Sequence, residues 1–390
     1  MGSALPLDTR PAQSLHHPPL TQCKPDFKNS AAQTPLPLTS AATAPAPAQV
    51  LPHVTGGEML RPSPLQMEKA PMAKLTVSKT TDFSGLPLLQ TDVIEFANGP
   101  GTTAVATFSG VQLGSSRVSP QALIDGSAGI NAIAVIGTGT PVNLSGWQFM
   151  DWDALDSILI RGNSLSETLT GSSRNDTILG LDGSDTIDGG AGDDVIEGGR
   201  SIDRLNGGSG IDTLSYLGST SAVTVNLASG QASGGDAFGD RFSGFENIAG
   251  SAYNDTLTGD AGDNALSGEK GNDRLSGGLG SDALTGGKGR DTMTGGGDAD
   301  RFVYTAIDQS VVGSNRDVIT DFAPSQDDLI DLSAIDAIPY GADNAFDFIG
   351  TGAFTASGQV RYQVSNGQTI VQVNQGGSLA ADMEIALSGT

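Results

Sequence analysis

From Met72 to Thr390 this chain contains no histidine and no cysteine; the three histidines (His16, His17, His53) and the single cysteine, Cys23, all lie upstream. That absence removes the HExxH zinc helix, the Ser-His-Asp and Cys-His nucleophile arrangements and thiolate metal sites from the C-terminal four-fifths of the protein. No G-x-S-x-G elbow is present either. One cysteine cannot form an internal disulfide, so stability has to come from packing and bound ions. Basic residues are scarce: 20 Lys and Arg stand against 44 Asp and Glu, a formal charge of −24. Without a basic patch to neutralise phosphates, nucleic acid is excluded as a partner. No run of eighteen apolar residues exists, so no transmembrane helix is expected. The N-terminus, MGSALPLDTRPAQSLHHPPL, has no charged-then-apolar leader, so no cleaved N-terminal signal is expected.

Proline is also unevenly placed. Residues 1–71 hold 13 of the 19 prolines but only 3 of the 54 glycines. This composition reads as a disordered Pro-rich extension. The alternative is that Met72 is the true start, since MAKLTVSKTTDF opens the first strand-like segment. The His16–His17 pair reads as tail rather than as a metal site.

What the chain has in abundance is glycine, in register. Twelve nine-residue turns open at Gly162, Gly171, Gly180, Gly189, Gly198 and Gly207, and again at Gly250, Gly259, Gly268, Gly277, Gly286 and Gly295. The eighth place is apolar every time: Leu169, Ile178, Ile187, Ile196, Leu205, Leu214, then Leu257, Leu266, Leu275, Leu284, Met293 and Phe302. In a chain that is 37% hydrophobic, chance would do this about once in 10⁵ trials. One apolar residue in nine is too sparse for an amphipathic helix. It suits a very short strand with one inward side chain, in a solenoid where each turn is buried by stacking on its neighbours.

The sixth place is acidic in eleven turns: Glu167, Asp176, Asp185, Asp194, Asp203, Asp212, Asp255, Asp273, Asp282, Asp291 and Asp300, with Asn264 as the exception. Glycine fills the fourth place at Gly183, Gly192, Gly210, Gly262, Gly271, Gly280 and Gly289. Such glycines permit φ > 0 and let the backbone turn its carbonyls inward. Carboxylates with backbone carbonyls make the hard-oxygen environment that Ca²⁺ selects. Stacked turns would line up rows of Asp whose repulsion opposes folding without a cation, so metal binding and folding are expected to be one event.

The pattern G-G-x-G-x-D-x-U-x, best seen in GGAGDDVIE (189–197) and GGSGIDTLS (207–215), resembles the hemolysin-type nonapeptide repeats of RTX (repeats-in-toxin) proteins. The resemblance implies an all-β protein built on a right-handed parallel β-roll, exported by a type I pathway from a Gram-negative bacterium. It further implies that each Ca²⁺ lies between loops two turns apart, held by carbonyls of the Gly-rich half-turn and by the sixth-place Asp. Carried over, the ligand set is Asp176, Gly183, Asp185, Gly190, Gly192, Asp194, Asp203, Gly208, Gly210 and Asp212 in the first block. In the second block it is Asp255, Gly262, Gly271, Asp273, Gly278, Gly280, Asp282, Gly287, Gly289, Asp291, Asp298 and Asp300. The best-made pairs are the loops at Gly189 with Gly207, Gly268 with Gly286, and Gly277 with Gly295, where Asp298 replaces the fourth-place glycine. The loops at Gly162, Gly171, Gly198 and Gly250 carry Leu165, Arg174, Ser201 and Tyr253 there, which puts calcium in doubt. Eight ions is the upper bound and three to six the expected number.

The expected organisation is an extension over 1–71, a β-rich capping module over 72–161, a first repeat block over 162–215, spacer coils over 216–249, a second block over 250–303 and a C-terminal region over 304–390. In the module, Trp147, Phe149 and Trp152 read as cap or core, with sugar stacking as the alternative. In the spacer, Asp236, Asp240 and Glu246 are candidate ligands for a further ion. The C-terminal region, with DVITDF (317–322), DDLIDLSAIDA (327–337) and ADMEIALSGT (381–390), resembles the segment after the roll in serralysin-type proteases, which caps the roll and carries the export signal. The protease half is missing, so proteolysis is not implied.

The expected function is that of a secreted, non-enzymatic calcium-binding protein that folds on Ca²⁺ outside the cell. Its partners would be calcium, the type I secretion machinery during export, and a surface or matrix component. The alternative is a polysaccharide-active lyase or epimerase carried on the roll, with Asp151, Asp153 and Asp156 as the nearest carboxylates.

Overall fold

Nine residues per turn and one inward side chain dictate the architecture. In the computed structural model, Leu7–Asp8 and residues 73–390 are described, except 87–90, 100–101, 115–116, 127–128, 340–343, 366 and 389–390. Apart from Leu7–Asp8, the Pro-rich segment with its His pair and Cys23 lies outside the described residues.

Each turn supplies one strand around its seventh to ninth places, and successive turns alternate between two sheets. Thr168–Thr170, Thr186–Ala191 and Arg204–Ser209 stack in parallel in one sheet, with Leu169 beside Ile187 and Ile187 beside Leu205. Asp176–Asp182, Val195–Arg200 and Thr213–Ser215 stack in the other, with Ile178 beside Ile196 and Ile196 beside Leu214. Two turns therefore make one eighteen-residue coil. The second block repeats the arrangement through Leu257, Leu275 and Met293 on one side and Leu266, Leu284 and Phe302 on the other. The fold is a parallel β-roll. Every eighth-place side chain is at most 3% exposed, so the core is one side chain deep per strand.

The residues before the repeats belong to the same stack. Thr103–Ser109, Ile130–Ile136 and Ser157–Arg161 run in parallel into the first strand of the roll: Val105 pairs with Ala132, Ile133 with Ile158, and Ile158 with Asp176. Here the coils are wider because the chain also visits a third, four-stranded parallel sheet of Lys74–Val77, Thr91–Phe96, Val118–Asp125 and Gln148–Met150. After Gln148–Met150 that third face ends, and the solenoid narrows to two faces. Trp147 is buried at this step. Phe149 and Trp152 pack edge to face, ring centres 5.3 Å apart, against the same core.

The spacer keeps both sheets continuous. Arg241–Ser243 places Phe242 beside Leu205, and Asn247–Ala249 places Ile248 between Leu214 and Leu266. Thr224–Asn226 sets Val225 beside Leu257. Beyond the second block, Asp317–Ile319 and Leu329–Asp331 add one more coil. Met383–Leu387 then joins one sheet alongside Asp317–Ile319, with an antiparallel pair, Gln359–Ser365 and Gln368–Asn374, beyond it. Leu7–Asp8 pairs in parallel with Ile330 and Asp331 at the end of the other.

Candidate metal centre

The site begins with the first-place glycine. In each of the twelve turns the sixth-place side chain folds back over it: a Cβ on Gly180 would lie 2.5 Å from Asp185 Oδ2, and one on Gly171 2.7 Å from Asp176 Oδ2. The space left by the missing Cβ is thus filled by a carboxylate, or at Gly259 by the Asn264 amide, and the carboxylate's charge is buried inside the bend.

The other oxygen has a fixed partner one coil away. The backbone N–H of Asp176 donates to Asp194 Oδ1, that of Asp194 to Asp212 Oδ1, and that of Asp185 to Asp203 Oδ1, each at 2.8 Å. In the second block Asp255 donates to Asp273, Asp273 to Asp291, Asn264 to Asp282 and Asp282 to Asp300 in the same way. The result is two carboxylate ladders, one beside each sheet.

The remaining oxygen is buried and has no donor within the protein at Asp185, Asp194, Asp203, Asp212, Asp273, Asp282, Asp291 and Asp300. At Asp176 the unpartnered atom is Oδ1, because Oδ2 accepts from the Ser172 backbone. Burial is the first cause that raises these carboxyls, and for most of them the neighbouring carboxylates in the ladder add to it. Asp194 and Asp273 are pushed up to about 8, Asp176, Asp203 and Asp282 to about 7, and Asp185, Asp212, Asp291 and Asp300 to about 6. A buried anion with an unused lone pair demands a cation or a proton.

The loops around these carboxylates have the backbone that the glycines predict. At the fourth place Gly183, Gly192, Gly210, Gly271, Gly280 and Gly289 take φ between 100° and 152°, and at the second place Gly190, Gly208, Gly278 and Gly287 take φ between 91° and 129°. Leu181, Ser201, Glu269 and Asp298 adopt positive φ in the equivalent places without being glycine. Stacking therefore imposes the loop shape on residues that resist it. Gly262 departs from the expectation: its φ is not in the left-handed region, and its N–H is bound at 2.8 Å by Asp260 Oδ1. Asp298 reaches toward the Gly280 N–H at 3.4 Å.

Three turns have no unpartnered oxygen. Asp255, read from the repeat as a ligand, accepts from Val223 N–H on Oδ1 and from Ser251 N–H on Oδ2, with the Ser251 hydroxyl beside it. Glu167 accepts from Gly139 and Asn163. Asn264 uses its amide Nδ2 to donate to the Glu246 carbonyl at 2.9 Å, placing a neutral donor there. The fourth-place residue does not sort the turns: Asp176 and Asp203, in loops carrying Arg174 and Ser201, retain the unpartnered oxygen.

Four further acids extend the ladders outside the nonapeptides. Asp203 N–H donates to Asp240 Oδ1, Asp212 N–H to Glu246 Oε2, Asp291 N–H to Asp317 Oδ1 and Asp300 N–H to Asp328 Oδ1. Asp317 Oδ2 again has no donor in hydrogen-bond geometry, although the buried Tyr304 hydroxyl lies beside this carboxyl, and burial, followed by the charge of Asp291, lifts it to about 8. Asp317 and Asp328 were missed as candidate ligands because their loops have lost the glycines. The surviving signal is the acid-x-apolar-x core in DRFS (240–243), ENIA (246–249), DVIT (317–320) and DLID (328–331). Asp236, the third spacer candidate, is not a rung; its backbone N–H donates to the Ser219 hydroxyl at 3.1 Å.

Among the described residues no group of three or more His, Cys, Asp or Glu side chains closes on a common point. An ion here would be held by a carboxylate oxygen together with backbone carbonyls, the donor set that suits Ca²⁺ rather than Zn²⁺. Two of the three carboxylates weighed for catalysis accept local hydrogen bonds. Asp156 binds Asn131 and the Asp153 N–H, and Asp153 Oδ1 takes the Leu155 N–H, so both shape a turn. Among the described residues no helix is long and apolar enough to cross a membrane.

Parts of the chain are similar to a known repeat family and to solved structures. Residues 161–196, 179–214, 242–275 and 276–304 match the RTX calcium-binding nonapeptide repeat, in four copies. Among solved structures, the chain is similar to the AlgE6R3 subunit of the Azotobacter vinelandii mannuronan C5-epimerase, at 29% identity over 34% of this chain and 71% of that one, with a TM-score of 0.25. The AlgE6R2 subunit of the same enzyme is similar at 30% identity over 34% of this chain and 84% of that one, also with a TM-score of 0.25. No curated protein matches the chain.

Proposed function

This chain carries RTX calcium-binding nonapeptide repeats, and from that premise we propose that it is a secreted, non-enzymatic β-roll protein whose folding is driven by extracellular Ca²⁺. The observation that carries the reading is the set of buried carboxylates with one oxygen held by backbone and the other without a donor. Calcium, when bound, supplies the positive charge that those oxygens require. The chain's own residues do the rest: Oδ1 locks the next coil's backbone, the first-place glycine admits the side chain, and the left-handed loop residues allow adjacent loops to stack closely.

Without an ion, each ladder would bury anions that repel along its length, so an unloaded chain stays open in a medium poor in calcium. Extracellular calcium modules bind at about 10⁻⁴–10⁻³ M, which matches calcium outside a cell and far exceeds calcium inside one. Folding would then follow export and help draw the chain out through a type I channel, with residues 304–390 as the exported end. The exposed face of the roll and residues 72–161 are the surfaces left for a surface or matrix partner. Three to six ions in the repeats remain the expected load.

Circular dichroism with and without calcium tests the central claim. Strand signal should appear on adding millimolar Ca²⁺ and vanish with a chelator. An unloaded chain as ordered as the loaded one would remove the reading.

A further inference from the structure

The unpartnered oxygens are not spread evenly along the ladders. They fall into two runs: Asp176, Asp185, Asp194, Asp203 and Asp212, then Asp273, Asp282, Asp291, Asp300 and Asp317. Between Asp212 and Asp273 no ladder acid has one, although both sheets stay continuous, one of them through the antiparallel strand Gln231–Ser233.

The structure shows what replaces the ion at each rung of this interval. Asp240 Oδ2 accepts from the buried Tyr216 hydroxyl at 3.1 Å. Asp255 has both oxygens filled by Ser251 and Val223. Asn264 brings a neutral amide, bound to the Glu246 carbonyl. Glu246 itself is only half-buried, so its free oxygen can be hydrated. At the outer ends the same substitution occurs: Glu167 is filled by Asn163 and Gly139, and Asp328 by the Ala323 N–H at 2.8 Å. In physical terms these rungs meet the charge requirement with hydrogen bonds from their own chain.

We infer that the roll contains two separate calcium-responsive units, divided by an ion-independent collar from Tyr216 to Asn264, and that the second unit extends past the nonapeptides to a site at Asp317. The inference rests on the proposed calcium-driven folding and adds its boundaries. A stacked solenoid couples each coil only to its neighbours, so the state of one run reaches the other only through the collar. Because the collar's carboxylates are met by hydrogen bonds from their own chain or by water, it needs no ion of its own between the two blocks. Asp317 joins the second unit because its Oδ1 holds Asp291 and its buried Oδ2 has no donor in hydrogen-bond geometry: the Tyr304 hydroxyl beside this carboxyl is itself unpartnered, whereas the Tyr216 hydroxyl binds Asp240 at 3.1 Å.

Hydrogen exchange followed by mass spectrometry on the full chain, across a calcium titration, tests this. In the double variant Asp194→Asn/Asp212→Asn, peptides in 171–215 should lose calcium-induced protection by about tenfold or more in exchange rate, while the protection of 223–267 and 268–320 in calcium is unchanged. Asp273→Asn/Asp291→Asn should do the reverse, and Asp317→Asn should raise the calcium midpoint of the second unit alone. Loss of protection in both blocks from either double variant overturns the inference, as does a collar left unprotected in saturating calcium. An Asp317→Asn chain with an unchanged second-unit midpoint overturns the site at Asp317. If calcium protects no peptide of the natural chain, the calcium-folding reading itself is what fails.

Discussion

The backbone N–H of Asp194 donates to Oδ1 of Asp212, eighteen residues on, at 2.8 Å, while Oδ2 of Asp212 is buried with no donor at all. One side chain thus joins two coils and at the same time creates a need for positive charge. Structural coupling and ion demand reside in the same carboxylate, and the following expectations come from that pairing.

Acid should substitute for calcium. The ladder carboxyls that keep an unpartnered oxygen are raised in the folded state, to between about 6 and about 8, so the folded roll binds more protons than the unfolded chain above the ordinary carboxylate range. Stability of the ion-free roll then falls as pH rises from about 4 to about 8, and calcium binding should release protons. Circular dichroism in a chelator at pH 4 and pH 8 should show more strand at the lower pH.

Neutralising one rung should trade ion affinity for ion-free stability. Asp282→Asn keeps an oxygen for the Asn264 N–H and replaces the unpartnered anion by an amide, as the chain itself does at Asn264. The ion-free form should gain about 1–3 kcal/mol from losing a buried unpaired group, while the calcium midpoint rises. Denaturant melts in chelator and a calcium titration measure the two effects.

Filling the first-place gap should break the bend. In Gly189→Ala the new methyl meets Asp194 Oδ2 and the Gly207 carbonyl. A cost of about 1–3 kcal/mol is expected with calcium present, read from the thermal midpoint in saturating calcium.

Relieving an imposed loop shape should do the opposite. Leu181 is held at φ 80° at a second place where other turns have glycine. Leu181→Gly should raise stability by about 1 kcal/mol in calcium, since left-handed strain exceeds the added chain entropy of glycine. An unchanged or lower thermal midpoint would show that the strain is compensated by packing.

Much of the roll was legible because its period is local. Leu169 through Phe302 declare the inward positions by spacing alone, and an eighth-place side chain has nowhere to go but between the sheets. The wider three-faced coils before Ser157 were not legible, because Thr103–Ser109 and Ile130–Ile136 lack a fixed period and their pairing is visible only across space. At the site, the acids of the repeats could be named from their register. Asp317 could not, because its loop kept DVIT and lost the glycines.

By itself the sequence determined the coil: nine residues, a glycine for the bend, an acid folded over it and one apolar side chain for the core. Only the tertiary structure decided which of those acids require an ion. Asp212 and Asp255 occupy the same place in the same repeat, yet one retains a donorless oxygen and the other is filled by Ser251 and Val223. The physical reason is that a carboxylate's demand for charge depends on every donor that reaches it. Some of those donors, such as Val223 for Asp255 and Tyr216 for Asp240, come from residues outside the repeating unit, 32 and 24 positions from the acid they reach.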